Sequence, residues 1–142
     1  GSGPLRGALE REAASLGVAG AVRFTGVRTD LATVYAAMDV LAFPSAHEGQ
    51  GLVLLEAMAA RVPVVASAVS GVADVVTHGR NGLLVPVNEP EALAAAIFRL
   101  LRDGPLRCKV AQGGLEQLRD RFSVRNMVEA TERLYQRILA RT

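Results

Sequence analysis

The sequence predicts an α/β fold in which helices pack on a parallel sheet, and three observations lead there. Short β-branched runs alternate with longer helical patterns, joined by connections of only a few residues. Hydrophobic residues make up 50% of the chain but aromatic ones only 4%, so the core must be built from Ala, Val and Leu. That composition suits helices on a sheet better than a β-sandwich. Third, residues 47–67 (HEGQGLVLLEAMAARVPVVAS) read as a glycine-flanked loop that opens into a helix and delivers a buried strand. At 142 residues the chain can bury one real core, and no repeat or second domain stands out.

Taken in order, Pro4 sits near a helix start, Leu5, Leu9, Ala13 and Leu16 recur at helical spacing, and Gly17 supplies the stop. The opening Gly-Ser-Gly has two readings, a phosphate-approaching turn or a vector-derived remnant. Residues 21–25 (AVRFT) form a strand candidate ended by Gly26. Thr29 or Asp30 then caps a helix running through Met38, and residues 40–43 form a strand stopped by Pro44 and Ser45. The central helix and a strand at 63–66 follow, then a helical turn at 72–76, the turn 78–82 and a strand at 83–85. From Glu89 an amphipathic helix begins, with Asn88 as cap, Pro90 in its first turn and Gly104 as its close. Helices at 105–121 and 123–140 complete the chain, Ser123 capping the last.

Composition also narrows function. The formal charge is only +2, and its basic residues are interleaved with acidic ones along helices, so nucleic acid is a poor partner. A single Cys offers no disulfide framework, which fits a reducing cytosol. No apolar stretch is long enough to span a bilayer and no signal peptide is visible, so a cytoplasmic location is expected. No Ser-His-Asp set or metal-ligand cluster is evident, and no cofactor or metal is expected.

In parallel sheets ligands sit at the carboxyl ends of the strands, where loops lead into helices. Four loops answer to this, at 26–29, 44–51, 67–71 and 86–88, and the second is richest in glycine and polar residues. Gly49 and Gly51 let a backbone approach a ligand with no Cβ in the way. The first N–H groups of the helix that follows have no internal partner and carry the positive end of its dipole, which suits phosphate. Glu56, alone among apolar residues from Leu52 to Ala60, needs a partner, and a ligand hydroxyl would serve. Read from the residues alone, this is a site for an anionic, phosphorylated small molecule, or a purely structural glycine loop.

The ordered set of motifs goes further. PS-A-HEGQGLVLLEAMA, with Glu48 and Glu56 in a Glu-x7-Glu arrangement, is followed by PVVAS, SGVADVV, HGRNGLLVPV, the helix at PEALAAAI and the late RFSV-to-LYQRIL helix. With GPLR near the start and VRFTG, this series resembles the donor-binding domain of retaining GT-B-fold glycosyltransferases (group 1, family 4) over nearly the whole chain. The resemblance implies a Rossmann-like three-layer parallel sheet with helices on both faces, C-terminal helices appended. It also implies metal-independent transfer of a sugar from a nucleotide-diphosphate sugar, with retention at the anomeric carbon. By position, Glu48 is implied as the residue beside the reacting carbon and Glu56 as the acceptor from ribose hydroxyls. Backbone amides of Gly49, Gln50, Gly51, Leu52 and Val53 would hold sugar hydroxyls and the distal phosphate, and Gly26, Val27 and Arg28 would touch the base.

Two departures from that pattern matter. Arg61 stands where the family has Gly at the end of the central helix, a position often of positive φ, so either the turn is altered or Arg61 pairs with a carboxylate. The family's first two strands, with the Arg and Lys that neutralise the diphosphate, are not in this sequence, and neither is the acceptor domain. The strands at 22 and 40 must then pair directly, the sheet must split, or another chain must fill the gap; self-association through the apolar edges is expected, which light scattering would test. Simpler readings stand beside these. Glu56 pairs with Arg61 or another Arg, His47 and His78 are solvated, and Cys108 is a quiet thiol. The Arg-rich last helix is a solvated face, with peripheral membrane contact in the parent enzyme as the alternative. At the level of function the alternatives are a non-catalytic nucleotide-sugar binding or interaction module and a GT-B-like sugar-nucleotide epimerase.

Overall fold

The structure is a computed structural model that describes residues 3–140. Gly1 and Ser2, part of the opening Gly-Ser-Gly, lie outside the described residues. The chain divides into two units, residues 1–33 and 34–142.

In the first unit α1 (Arg6–Ser15) carries an exposed Arg6–Glu10 pair at 2.8 Å. Such a pair contributes at most about 0.5 kcal/mol. The helix ends as expected at Gly17, whose φ of 70° lets its N–H reach Ala14 O while Val18 N–H reaches Ala13 O. The expected strand at 21–25 does not form. Residues 19–21 make a 3-10 turn instead, and Val22, though extended, joins no ladder among the described residues. A strand is stabilised by a neighbour that takes its N–H and C=O groups, and β-branched sequence alone supplies none. Phe24 lies instead under the Arg6 guanidinium, 5.7 Å from ring centroid to Cζ.

The second unit holds a parallel sheet of β1 (Leu41–Phe43), β2 (Val64–Ser67) and β3 (Leu83–Val85), in that spatial order. Leu41 aligns with Val64, and Val65 with Leu83. Successive side chains point to opposite faces, so β2 feeds two cores. Val64 and Ala66 pack with Leu54, Ala57 and Met58 of α3 (Leu52–Ala59), while Val65 packs with Leu100 of α5 (Pro90–Arg102) and Val110 of α6 (Gly104–Arg121). Helices therefore cover both faces, the three-layer arrangement expected. Each fully buried Leu, Met or Val contributes about 1.5–3 kcal/mol. β1 is an edge strand with Ala42 exposed.

Several boundaries move. β2 begins at Val64 rather than Pro63, and the helical turn expected at 72–76 is α4 (Ser70–Ala73). α2 (Leu31–Ala36) stops short of Met38. Asn88 does not cap α5. It takes φ 60° and leaves Glu89 as the cap, without a side-chain bond. Gly104 does not separate two helices but begins α6, and Asp103 ends α5 and caps α6, accepting from Leu106 N at 2.9 Å. Ser123 caps α7 (Val124–Leu139) as expected, at 3.2 Å from Asn126 N. No described helix is long and apolar enough to cross a membrane.

At the end of α3 the turn is kept rather than altered. Arg61 adopts φ 58°, its N–H bonds Met58 O, and Val62 N–H bonds Ala57 O. These are the bonds that Gly17 makes for α1, so arginine accepts the left-handed strain that glycine avoids. No ion pair to Arg61 occurs among the described residues, and Glu56 finds another partner. His78 is exposed yet not merely solvated. Its Nδ1 accepts from Leu84 N at 3.0 Å, which places the ring proton on Nε2. A buried polar knot then ties the turn before β3 to α6, with Asn81 Nδ2 and Gln117 Nε2 both donating to Val75 O, at 2.9 and 2.7 Å. Gly113 makes this approach possible, since a Cβ there would stand 2.3 Å from Arg80 O.

Candidate functional site

The site is built at the carboxyl ends of the strands, where β1 leads through residues 44–51 into α3. Gly51 carries the turn. Its φ of 62° and ψ of 47° are left-handed, and a Cβ there would meet Leu54 Cδ1 at 2.9 Å, so both backbone and space demand glycine. The helix therefore starts abruptly and without a side-chain cap. Among the described residues, no protein acceptor meets the N–H groups of Gln50, Leu52 and Val53. Those of Leu52 and Val53 form the first turn and carry the positive end of the α3 dipole.

The amides of Gly49 and Gly51 are differently placed. Both donate to Oε1 of Glu48, at 3.0 and 3.2 Å, so the loop folds around its own carboxylate. An anion thus already sits against part of the expected cradle, and it is the protein's own. Oε2 of Glu48 makes no hydrogen bond among the described residues, and the side chain is half-buried. Glu56 lies one helical turn inside α3 on its exposed side. Its Oε2 accepts from the Tyr35 hydroxyl at 2.7 Å, across 21 residues of sequence. Tyr35 is only 8% exposed, and its phenol is pushed up to about 12, first by burial and then by the hydrogen bond to Glu56. The two carboxylates are therefore each held by one oxygen.

Two further features shape this end of the sheet. Gly71, at the start of α4, lies so close to the loop that a Cβ would stand 2.3 Å from Glu48 O and 2.4 Å from Gly49 O. α4 thus props the loop from beneath. A cavity of about 140 Å³ opens beside it, lined by Pro44, Ser67, Val85, Pro86, Asn88 and Leu93. A groove of about 460 Å³, with Gln50 and Leu52 on one wall and Phe122, Val124 and Met127 on the other, runs toward α7. Neither is lined by Glu48 or Glu56.

Gly26, Val27 and Arg28 belong to the first unit. Gly26 takes φ 68° and Val27 is 82% exposed. Arg28 is engaged by Asp30, Nε to Oδ1 at 2.7 Å, and the guanidinium holds that carboxyl below the usual range. Among the described residues no group of three or more His, Cys, Asp or Glu side chains is arranged to hold a metal ion. Sequence reasoning missed Tyr35 and Gly71. The first left no signal beyond an aromatic in a short helix. The second lay in the SGVADVV segment at the third loop mouth, but nothing local showed that it touches the loop at Glu48.

Residues 1–103 match the family described as glycosyl transferases group 1. The chain belongs to this family. Among its group 1 relatives, a lipopolysaccharide core biosynthesis glycosyltransferase (LpsE) of Rhizobium meliloti is 38% identical over 130 residues. That match covers 92% of this chain and 38% of the relative. A D-inositol 3-phosphate glycosyltransferase of Corynebacterium urealyticum is 41% identical, covering 89% of this chain and 30% of the relative. The chain thus spans well under half the length of these relatives. The fold is that of solved GT-B enzymes. A sucrose-phosphate synthase from Thermosynechococcus elongatus superposes with a TM-score of 0.85 at 33% identity, covering 100% of this chain and 38% of the other. HepE of Anabaena, solved in complex with UDP, gives 0.84 at 32% identity, covering 92% and 36%. The same protein was also solved with UDP-glucose.

Proposed function

We propose that the chain is the donor-binding part of a retaining, metal-independent glycosyltransferase that moves a sugar from a nucleotide-diphosphate sugar to a polysaccharide or glycolipid acceptor. The observation that carries this reading is the left-handed Gly51, which leaves the first amides of α3 open beside two carboxylates, each anchored by one oxygen. The complexes of HepE with UDP and UDP-glucose support a donor of this class. In this reading the amides of Leu52 and Val53 take the distal phosphate, and the α3 dipole offsets charge growing on the departing diphosphate. Glu48 turns its free Oε2 to the donor sugar beside the reacting carbon. Glu56 takes ribose hydroxyls on Oε1.

Titration calorimetry with UDP-, GDP- and ADP-sugars tests this. One of the three should bind weakly to the wild-type chain, and Glu56→Ala should lose most of the heat, with little or no transfer by this chain alone. Equal heats for both proteins would remove the ribose role. The hold of Glu48 on the Gly49 and Gly51 amides favours one second reading, a module that keeps the shape without catalysing. Nucleotide affinity without transfer in the full-length parent would establish it.

A further inference from the structure

We infer that Tyr35 is a positioning residue for nucleotide recognition: by holding Oε2 of Glu56 it fixes the carboxylate so that Oε1 faces the ribose. This rests on the donor reading above and adds a residue that no Glu-x7-Glu pattern contains. Three observations carry it. Tyr35 is the one buried member of α2, a helix of six residues whose others are exposed or half-buried, and it belongs to the same core cluster as Leu54, Ala57 and Met58. A side chain so packed has one place for its hydroxyl, and here that place is 2.7 Å from Glu56 Oε2. Glu56 lies on the exposed side of α3, where a glutamate with three rotatable bonds would otherwise sample several rotamers. Among the described residues the phenol is its one side-chain partner.

The consequence is chemical. A neutral phenol donates to the carboxylate without neutralising it, so Glu56 stays an acceptor, fixed in direction, for the two donors of a vicinal diol. An arginine in the same place would spend the charge and compete for both oxygens. Tyr35 therefore sets preference for a ribonucleotide over its 2′-deoxy analogue without itself touching the ligand.

Calorimetry with UDP and 2′-deoxy-UDP on the wild-type chain, Tyr35→Phe, Glu56→Gln and Tyr135→Phe tests this. Tyr135, on α7 and 61% exposed, serves as the control tyrosine. The wild type should prefer UDP. Tyr35→Phe should weaken UDP binding about three- to tenfold, leave 2′-deoxy-UDP nearly unchanged and so narrow the ratio. Tyr135→Phe should change neither. If Glu56→Gln levels the ratio while Tyr35→Phe keeps it, the positioning role is overturned and the donor reading survives. If Glu56→Gln leaves the ratio intact, the ribose role of Glu56 falls, and the inference with it. Tyrosinate absorbance gives a readout free of nucleotide. In Glu56→Gln the Tyr35 phenol should ionise at lower pH than in the wild type, and an unchanged titration would show that the bond is absent in solution.

Discussion

Glu48 and Glu56 stand eight positions apart, on either side of the same helix start, and are held by different means. Glu48 is fastened locally, by amides one and three residues further along its own loop. Glu56 is fastened by a phenol 21 residues away, delivered by a separate helix and locked by the core. The local anchor costs little to assemble but occupies amides that an anion would otherwise use. The distant anchor depends on correct folding and leaves the other oxygen of the carboxylate clear. One end of the Glu-x7-Glu pair is thus able to adapt, while the other is fixed before any ligand arrives.

The comparison can be broken most forcefully through Gly71. Gly71→Ala should force the loop at Glu48 away from α4, because the two carbonyl oxygens beneath it belong to backbone and cannot rotate aside. A cost of about 1–3 kcal/mol is expected, with a lowered Tm and lost nucleotide binding, while the Tyr35 phenol still titrates as in the wild type. Next in size is Glu48→Ala, which frees the Gly49 and Gly51 amides. Chemical denaturation should show a loss of about 1 kcal/mol. An added phosphate or pyrophosphate should then stabilise the variant more than it does the wild type, since the carboxylate no longer competes for the cradle.

Arg61→Gly, at the far end of α3, should act in the opposite direction. It relieves a left-handed residue in a turn whose bonds are already those of a glycine stop, and a gain of roughly 0.5–1 kcal/mol is expected in urea melts. An unchanged stability would mean that the arginine is compensated elsewhere. A further effect concerns pH. The Tyr35 phenol, raised from 10.0 to about 12, binds its proton more tightly folded than unfolded. Its contribution is complete below pH 10 and is lost as pH climbs through 12. Urea melts across that window should show a fall in stability that Tyr35→Phe lacks, whereas Glu48→Ala retains it.

Much of the fold was legible because its signals are local. The Gly17 stop, the Ser123 cap, the Pro90 start and the strand at 83–85 each rest on a few neighbouring residues, and each is where the sequence placed it. Local signals failed where the outcome depends on a neighbour. Residues 21–25 have strand composition but join no ladder among the described residues. Asn88 looked like a cap and became a left-handed linker, because the chain turns one residue later at Glu89. His78 read as a solvated turn residue, yet Leu84 of β3 reaches it with a backbone proton.

By itself the sequence determined the alternation of strands and helices, the glycine turn ahead of α3 and the pairing of two acidic residues across its start. These follow from periodicity and from conformations open to one residue type. Only the tertiary structure decided that Tyr35 holds Glu56, that Gly71 supports the loop and that the first amides are shared between the protein's own carboxylate and open space. The first two are contacts between segments far apart in the chain, set by how the core packs rather than by any run of neighbouring residues, and the third, though local, depends on which way the folded loop turns the Glu48 side chain.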